Sequence, residues 1–158
     1  MGVWLIGPVT IGVALAADQI SKAIVLRHAE TLSQGVEVMP GFDLVLGLND
    51  GVAFGLFGGA GPWTLVALAA VIVTWLLIAM LRTKRRREAA AYGAVIGGAV
   101  GNVVDRLRHG AVTDFLDFHV AQWHWPAFNV ADIAIVCGVA GILLFDVTKQ
   151  RGAKTSRI

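Results

Sequence analysis

The chain has 158 residues, of which 56% are hydrophobic and only 15% are charged. This balance excludes an ordinary soluble domain, because too few polar residues remain to cover a water-facing globule of this size. The single cysteine excludes an intramolecular disulfide and a multi-cysteine metal site. The composition therefore predicts an all-α protein that crosses a membrane several times.

The formal net charge of +2 does not indicate a nucleic-acid partner. Most of the positive charge lies in two short clusters beside apolar runs, at residues 82–87 and 149–157. Clusters of this kind mark the cytoplasmic side of a membrane protein, whereas a nucleic-acid surface would spread its charge over a groove or helix face. No nucleic-acid partner is expected.

The first predicted transmembrane helix covers residues 3–26, which is long enough to span about 30 Å of hydrocarbon. A cleaved signal peptide fits this stretch poorly, because no Lys or Arg precedes it and no small-x-small site closes it before Asp18. Asp18 and Lys22 stand four residues apart on one helical face. They are therefore expected to pair.

The segment at 27–61 is irregular and contains two short alternating stretches, at 36–38 and 42–46. Alternation predicts strands, here lying on the membrane surface. Asn49, Asp50 and Gly51 then form a strong turn signal, so the simplest interpretation of residues 49–55 is a hairpin turn.

A second predicted span covers residues 62–81 and stops at a run with five positive charges in six residues, 82–87. The third predicted span, at 89–107, is rich in small residues. Gly93, Gly97 and Gly101 repeat at intervals of four and predict close packing against neighbouring helices. A loop of about twenty residues follows, in which we interpret Asp117 as a solvated side chain.

The fourth predicted span covers residues 128–147 and is followed by a basic tail. Since positive segments stay inside, both termini and the 82–87 run are expected in the cytoplasm, with both long loops outside. The result is one integral membrane domain, residues 1–158, with four transmembrane helices and small strands in the first outer loop.

This topology brings scattered polar residues to one depth, near the outer face. Asp18 and Lys22 lie where the first helix ends, Asn102 to Arg106 where the third ends, and Asn129 and Asp132 where the fourth begins. Ionisable groups near hydrocarbon are functional candidates, because burying their charge is costly. We interpret Asp114 and Asp132 as a catalytic pair that shares one proton and activates water for attack on a carbonyl.

Two alternatives use the same acids differently. A catalytic pair of Asp105 and Asp132 would place both acids on helices, although Asp105 is better explained as the structural partner of Lys22 or Arg106. A small ion or proton carrier would also use intramembrane acids, but it predicts acids spread through the bilayer, not gathered at one side. A scaffold subunit would not explain why the acids are clustered.

The four histidines lack the spacing of a zinc site, so no metal is predicted.

Five sequence blocks resemble those of bacterial lipoprotein signal peptidases, also called signal peptidase II, and the match covers nearly the whole chain. The blocks are DQISK at 18–22, NDGVAFG at 49–55, GNVVDR at 101–106, VTDF at 112–115 and FNVAD at 128–132. Each block is weak alone, but five in order on a four-span topology make the resemblance specific.

The resemblance implies an aspartic endopeptidase of the bacterial cytoplasmic (inner) membrane, with a surface β-cradle and its active site at the outer face. Expected substrates are prolipoproteins carrying a diacylglyceryl group on the cysteine that follows the cleavage site. The family pattern makes Asp114 and Asp132 the catalytic pair. The matching supporting residues are Asp18, Lys22, Asn49, Asn102, Asp105, Arg106 and Asn129. Membrane lipids are expected partners, no cofactor is expected, and a monomer is the simplest assembly.

Overall fold

A computed structural model of the protein describes residues 2–51 and 62–155, and for Pro62 and residues 147–155 it describes the backbone alone. The helices are α1 (Val3–Arg27), α2 (Ala29–Leu32), α3 (Pro62–Arg82), α4 (Arg86–His109) and α5 (Val130–Thr155). The strands are β1 (Val36–Met39), β2 (Phe42–Asn49), β3 (Val112–Val120) and β4 (Trp123–His124). The chain is therefore mostly helical with one small antiparallel sheet, and residues 52–55 of the predicted turn lie outside the described residues.

Each predicted span coincides with one of the four long helices, and the first three agree within three residues at either end. Helix α5 continues to Thr155, so the basic segment that was expected to be a tail after residue 147 is helical. Two stretches, Val3–Arg27 and Trp63–Arg82, are long and apolar enough to cross a membrane by length and composition. The four-span arrangement stays a prediction.

Helix α4 lies at the centre of the bundle and packs against α1, α3 and α5. The small residues predicted to form a packing seam lie at these contacts. A methyl group built on Gly97 would come within 2.7 Å of the Ile11 carbonyl oxygen, and one on Gly98 within 2.5 Å of the Ala131 carbonyl oxygen. The backbones of α1 and α5 therefore approach α4 too closely for any side chain at these positions.

Replacing Gly97 by Ala should destabilise the protein by about 1–3 kcal/mol, because the added methyl group has no room beside α1. Gly12 is a matched control on α1, since a methyl group there would meet no atom within 4 Å. Gly12→Ala should stabilise its helix by about 0.5–1 kcal/mol. Thermal unfolding in detergent checks both changes, and equal effects would contradict the close approach at Gly97.

The four strands form one antiparallel sheet in the order β1-β2-β3-β4. Strand β3 occupies nine residues in the middle of the segment that was predicted to be a loop, so that part of the prediction is wrong. The apolar alternation of β3 is broken, because Asp114 and Phe115 exchange the usual polar and apolar positions. The sheet therefore combines strands from both segments outside the helices, not from the first alone.

The sheet is fixed to the end of the bundle by a small apolar cluster. Val25 at the end of α1, Leu32 in α2 and Phe115 in β3 are buried together. The antiparallel register pairs Gly47 with Asp114 and Asn49 with Val112. The end of β2 and the start of β3 therefore lie side by side, next to the helix ends.

Asp117 is buried on β3, so its interpretation as a solvated loop residue is wrong. Its side chain accepts a hydrogen bond of 2.8 Å from His124 Nδ1, and His119 lies 3.4 Å from Asp43. The two imidazole rings stack with their centroids 4.9 Å apart. These four side chains share one face of the sheet and join β2, β3 and β4.

Candidate active site

Polar side chains from five elements meet in one cluster at the sheet end of the bundle. They come from the last turns of α1, the last turns of α4, the end of β2, the start of β3 and the first turn of α5. The buried members are Asp18, Lys22, Asp105, Asp114 and Asn129. The single polar layer predicted from the topology is thus present in the fold.

One half of the cluster is a buried ionic group centred on Lys22. The Lys22 ammonium lies 3.0 Å from Asp18 and 3.1 Å from Asp105, and these three side chains are at most 5% exposed. The Gln19 amide donates to both carboxylates, at 3.2 Å and 3.1 Å. The predicted pairing of Asp18 with Lys22 is confirmed by this geometry.

Asp105 has its hydrogen-bonding capacity occupied by structural partners. Its Oδ2 accepts from Lys22 and from the Thr113 backbone N–H at 3.0 Å, while Oδ1 accepts from Gln19. It therefore ties α4 to the start of β3. Both oxygens of Asp105 contact groups that hold α1, α4 and β3 together, so this arrangement favours the structural role of Asp105 over a catalytic role with Asp132.

The other half of the cluster is built on the N-terminus of α5. Asn129 precedes the helix, and its side-chain oxygen accepts from the Asp132 N–H at 3.0 Å. Asp132 Oδ2 in turn accepts from the Asn129 N–H at 3.1 Å. This reciprocal exchange is a capping box, in which two helix-terminal donors are satisfied by the two side chains. It fixes the Asp132 carboxylate at the helix terminus.

Asp114 on β3 faces this helix terminus and is only 4% exposed. Its Oδ1 accepts 2.6 Å from the Asn129 amide nitrogen, and its Oδ2 accepts 2.9 Å from the Asn49 amide nitrogen. Asn129, which is fully buried, therefore contacts both aspartates through opposite ends of one amide. The structure brings together Asp114 and Asp132, which lie 18 positions apart in sequence.

Asn102 connects the two halves. Its oxygen accepts 2.9 Å from Lys22, and its amide nitrogen donates to Asp132 Oδ1 at 3.0 Å. Because an ammonium group can only donate, Lys22 determines which end of the Asn102 amide faces Asp132. The positive charge of Lys22 thereby orients a donor toward a carboxylate it does not itself contact.

Arg106 holds the chain that follows β2. Its Nη2 donates to the Gly51 carbonyl oxygen at 2.7 Å, and its Nη1 donates to the Asn102 carbonyl oxygen at 3.4 Å. All nine residues predicted for the site thus lie in this one cluster. Three of them form the buried ionic group, two are the carboxylate pair, and the other four make hydrogen bonds around these groups.

Burial raises the pKa of Asp114 from 3.8 to about 6. Hydrogen bonds from Asn49 and Asn129 and the charge of Lys22 oppose this rise, whereas the nearby charge of Asp132 adds to it. Desolvation disfavours the charged form of a carboxyl group, and a second carboxylate disfavours it further. Asp114 therefore holds a proton under mildly acidic conditions.

Two contributors were missed by the sequence analysis. One is Gln19, for which a lone amide beside Asp18 in an apolar span was a usable signal. Asp18 Oδ1 also accepts 3.0 Å from the Ala131 N–H of α5. Such backbone donors carry no side-chain signature, so the sequence gives no means of locating them.

A model of the family described as Signal peptidase (SPase) II matches residues 10–148 of the chain. The chain belongs to this family. Membership in the SPase II family identifies it as a peptidase and favours that interpretation over the ion carrier.

Curated relatives are similar to this SPase II family member over most of its length. The lipoprotein signal peptidase of Anaplasma phagocytophilum is 38% identical over 148 residues, which cover 92% of this chain and 94% of that protein. The lipoprotein signal peptidase of an Azoarcus species is 47% identical over 138 residues, covering 83% and 76% respectively.

Two solved structures described as bacterial membrane enzymes share the fold of this SPase II family member. The first has a TM-score of 0.80 with 24% identity, covering 91% of this chain and 88% of that chain. The second has a TM-score of 0.77, also with 24% identity. The helical bundle with its small sheet is therefore the fold of known membrane enzymes.

Replacing Lys22 by Met in this SPase II family member should destabilise it by about 3–5 kcal/mol, because Asp18 and Asp105 would be buried without a counter-ion. Arg85→Met is the control, since it breaks an exposed pair with Glu88 that contributes less than about 1 kcal/mol. Abundance in membranes and thermal unfolding of both variants measure the difference. Similar losses would mean that the Lys22 group contributes no more than a surface pair.

The raised pKa of Asp114 should make stability depend on pH. The folded protein binds this proton more tightly than the unfolded chain, so its stabilising contribution is complete below about pH 4 and is lost as pH rises to about 6. The slope is at most about 1.4 kcal/mol for each pH unit in this window. Thermal unfolding of the wild type and Asp114→Asn between pH 4 and 7 measures it, and parallel curves would contradict the raised pKa.

Proposed function

We propose that this protein is an aspartic endopeptidase that removes signal peptides from diacylglyceryl-modified prolipoproteins, cleaving before the lipidated cysteine. Relatives named lipoprotein signal peptidase support the substrate class. The observation that carries the aspartic mechanism is the contact of Asn129 with both Asp114 and Asp132. Asn129 donates to the Asp114 carboxyl group through its side-chain amide and to the Asp132 carboxyl group through its backbone N–H, so one buried residue holds both carboxyl groups.

In the proposed reaction, Asp114 carries the proton of the pair and Asp132 is ionised. Asp132 takes a proton from a water whose oxygen attacks the scissile carbonyl carbon, while Asp114 gives its proton to the carbonyl oxygen. The tetrahedral intermediate then collapses. Asp132 transfers its proton to the leaving nitrogen of the cysteine, and Asp114 recovers a proton from a hydroxyl group. The products are a signal peptide carboxylic acid and a free amine.

The remaining polar residues act as positioning groups in this proposal. Asn49 and Asn129 donate to Asp114, and Asn102 donates to Asp132. Lys22, which is paired with Asp18 and Asp105, donates to the Asn102 side-chain oxygen. Arg106 donates to the Gly51 carbonyl oxygen and so holds the chain after β2 in place. Since each catalytic carboxyl oxygen has a donor, neither group needs to rotate before it meets the substrate.

The proposal includes four transmembrane helices, with both termini in the cytoplasm of a bacterium and the site at the outer face of its inner membrane. Large apolar side chains exposed on the outer helices support a lipid environment: Ile20, Val71, Trp75, Val136 and Leu143 are 61–68% exposed. Helix α4 is enclosed by the others, so it can be less apolar and still cross the bilayer. A monomer is proposed because the small residues of α4 pack within the chain.

Asp114→Asn and Asp132→Asn should each slow cleavage of a lipidated prolipoprotein by at least about 100-fold, because general acid and base catalysis contribute 10²–10⁴-fold. Glu37→Gln is the matched control, since it makes the same chemical change at an exposed position of β1. Purified protein, a lipidated substrate and gel separation of the products provide the measurement, with thermal unfolding to verify folding. The unlipidated precursor should remain uncut.

The same assay distinguishes the alternative carboxylate pair. Asp105→Asn should reduce stability before it affects chemistry, because Asp105 holds Lys22 and the Thr113 N–H. A folded, inactive Asp105→Asn variant beside an active Asp114→Asn variant would refute the proposed pair.

A further inference from the structure

A strongly basic turn joins α3 to α4 at the far end of the bundle from the sheet. Five of the six residues at 82–87 are Arg or Lys, and all five are exposed. The ion pair found in this turn, among the described residues, joins Arg85 to Glu88 at 3.2 Å. The proposed peptidase chemistry lies toward the other end of α4, where Asn102 is about 24 Å from Arg86 at 1.5 Å per residue. The proposed peptidase mechanism does not use the basic residues at 82–87.

The turn borders a cleft between the start of α4 and α5. Arg85, Arg86, Arg87 and Glu88 line it together with Phe145, and its volume is about 310 Å³. Cationic groups on one side and an aromatic ring on the other suit a ligand with an anionic head and an apolar body. If these charges only set the orientation of the protein in the membrane, they would not need to line a cleft. The cleft therefore suggests that they also bind a ligand.

The start of α4 adds donors to this cleft. The N-cap residue Arg85 makes no side-chain capping hydrogen bond, so the first backbone N–H groups of the helix receive no acceptor from it, while Glu88 in the first turn is paired with Arg85. Such groups, together with guanidinium ions, favour phosphate, and arginine can hold two phosphate oxygens at once. The chemistry of the cleft therefore matches a phosphate group.

The surface beside the cleft is apolar, which distinguishes a lipid phosphate from a free one. Leu81, next to the basic run, is 79% exposed, Ile78 one turn earlier is 44% exposed, and Leu144 beside Phe145 is 65% exposed. Since exposed apolar side chains of this protein are proposed to face lipid, the bilayer lies directly beside the cleft. A phospholipid bound at the same cleft would cover them with its acyl chains.

We propose that the basic turn and its cleft bind the phosphate headgroup of an anionic membrane lipid. Arg86 and Arg87 hold the phosphate oxygens, Phe145 packs against the glycerol region, and the acyl chains follow Leu81 and Leu144. This site goes beyond the proposed peptidase function and does not depend on it. Basic pockets between transmembrane helices are general sites of this kind.

The test uses the full-length protein in a neutral detergent with added phosphatidylglycerol or phosphatidylcholine. Native mass spectrometry measures bound lipid and thermal unfolding measures stabilisation. The wild type should prefer phosphatidylglycerol, with binding that weakens as NaCl is raised. The double change Arg86→Gln with Arg87→Gln should lower this affinity roughly tenfold or more. Arg27→Gln with Arg108→Gln removes the same charge from exposed positions at the other end and should leave the affinity unchanged.

Three results would overturn the proposal. Equal weakening in both double variants would show that only net charge matters. Equal binding of phosphatidylcholine would show that the lipid charge is not recognised, and stabilisation by inorganic phosphate alone to the same extent would show a free phosphate as the ligand. If the Arg86 and Arg87 variant does not accumulate, Phe145→Ala keeps every charge; its affinity for phosphatidylglycerol should fall several-fold, and an unchanged affinity would refute the site.

Discussion

The arrangement of the site depends on the buried charge of Lys22. An ammonium group in a nearly water-free environment requires a counter-ion, since an unpaired charge there would cost several kcal/mol, and Lys22 contacts both Asp18 and Asp105. Lys22 donates to the Asn102 side-chain oxygen and so fixes the orientation of the Asn102 amide. The amide nitrogen of Asn102 then donates to Asp132. A structural ion group on α1 and α4 thus controls the donor that meets a carboxylate on α5.

This chain of contacts exists only because the helices approach very closely. Gly97 lets the α1 backbone reach α4, and Gly98 does the same for α5 on another face. The close approach brings Asp18 to the Ala131 N–H, so α1 and α5 are joined through a backbone donor. The close packing of the helices and the hydrogen bonds of the polar cluster therefore depend on each other. Larger residues in the seam would separate the groups whose mutual hydrogen bonds make their burial tolerable.

Much of this could be predicted from the sequence, because apolar runs and charge clusters determine helix positions strongly. The long helices, the pairing of Asp18 with Lys22 and the gathering of polar residues all came from such patterns. Strand β3 was missed because Asp114 and Phe115 exchange the polar and apolar positions of its alternation, and a polar residue in an apolar position resembles a loop. The burial of Asp117 could not be foreseen, since it depends on His124 reaching it from a strand of only two residues.

The misread strand matters for the chemistry, because a strand holds a carboxyl group more rigidly than a loop does. The antiparallel register places Asp114 beside the end of β2, where Asn49 donates to it, and next to the capped terminus of α5, where Asn129 donates to it. Asp132 is fixed independently by the capping box. The two acids thus sit in different environments, one buried on the sheet with a raised pKa and one at a helix terminus. Different environments for two neighbouring acids can separate an acid role from a base role, as the proposed mechanism requires, and here the difference in environment follows from the two elements that carry the acids.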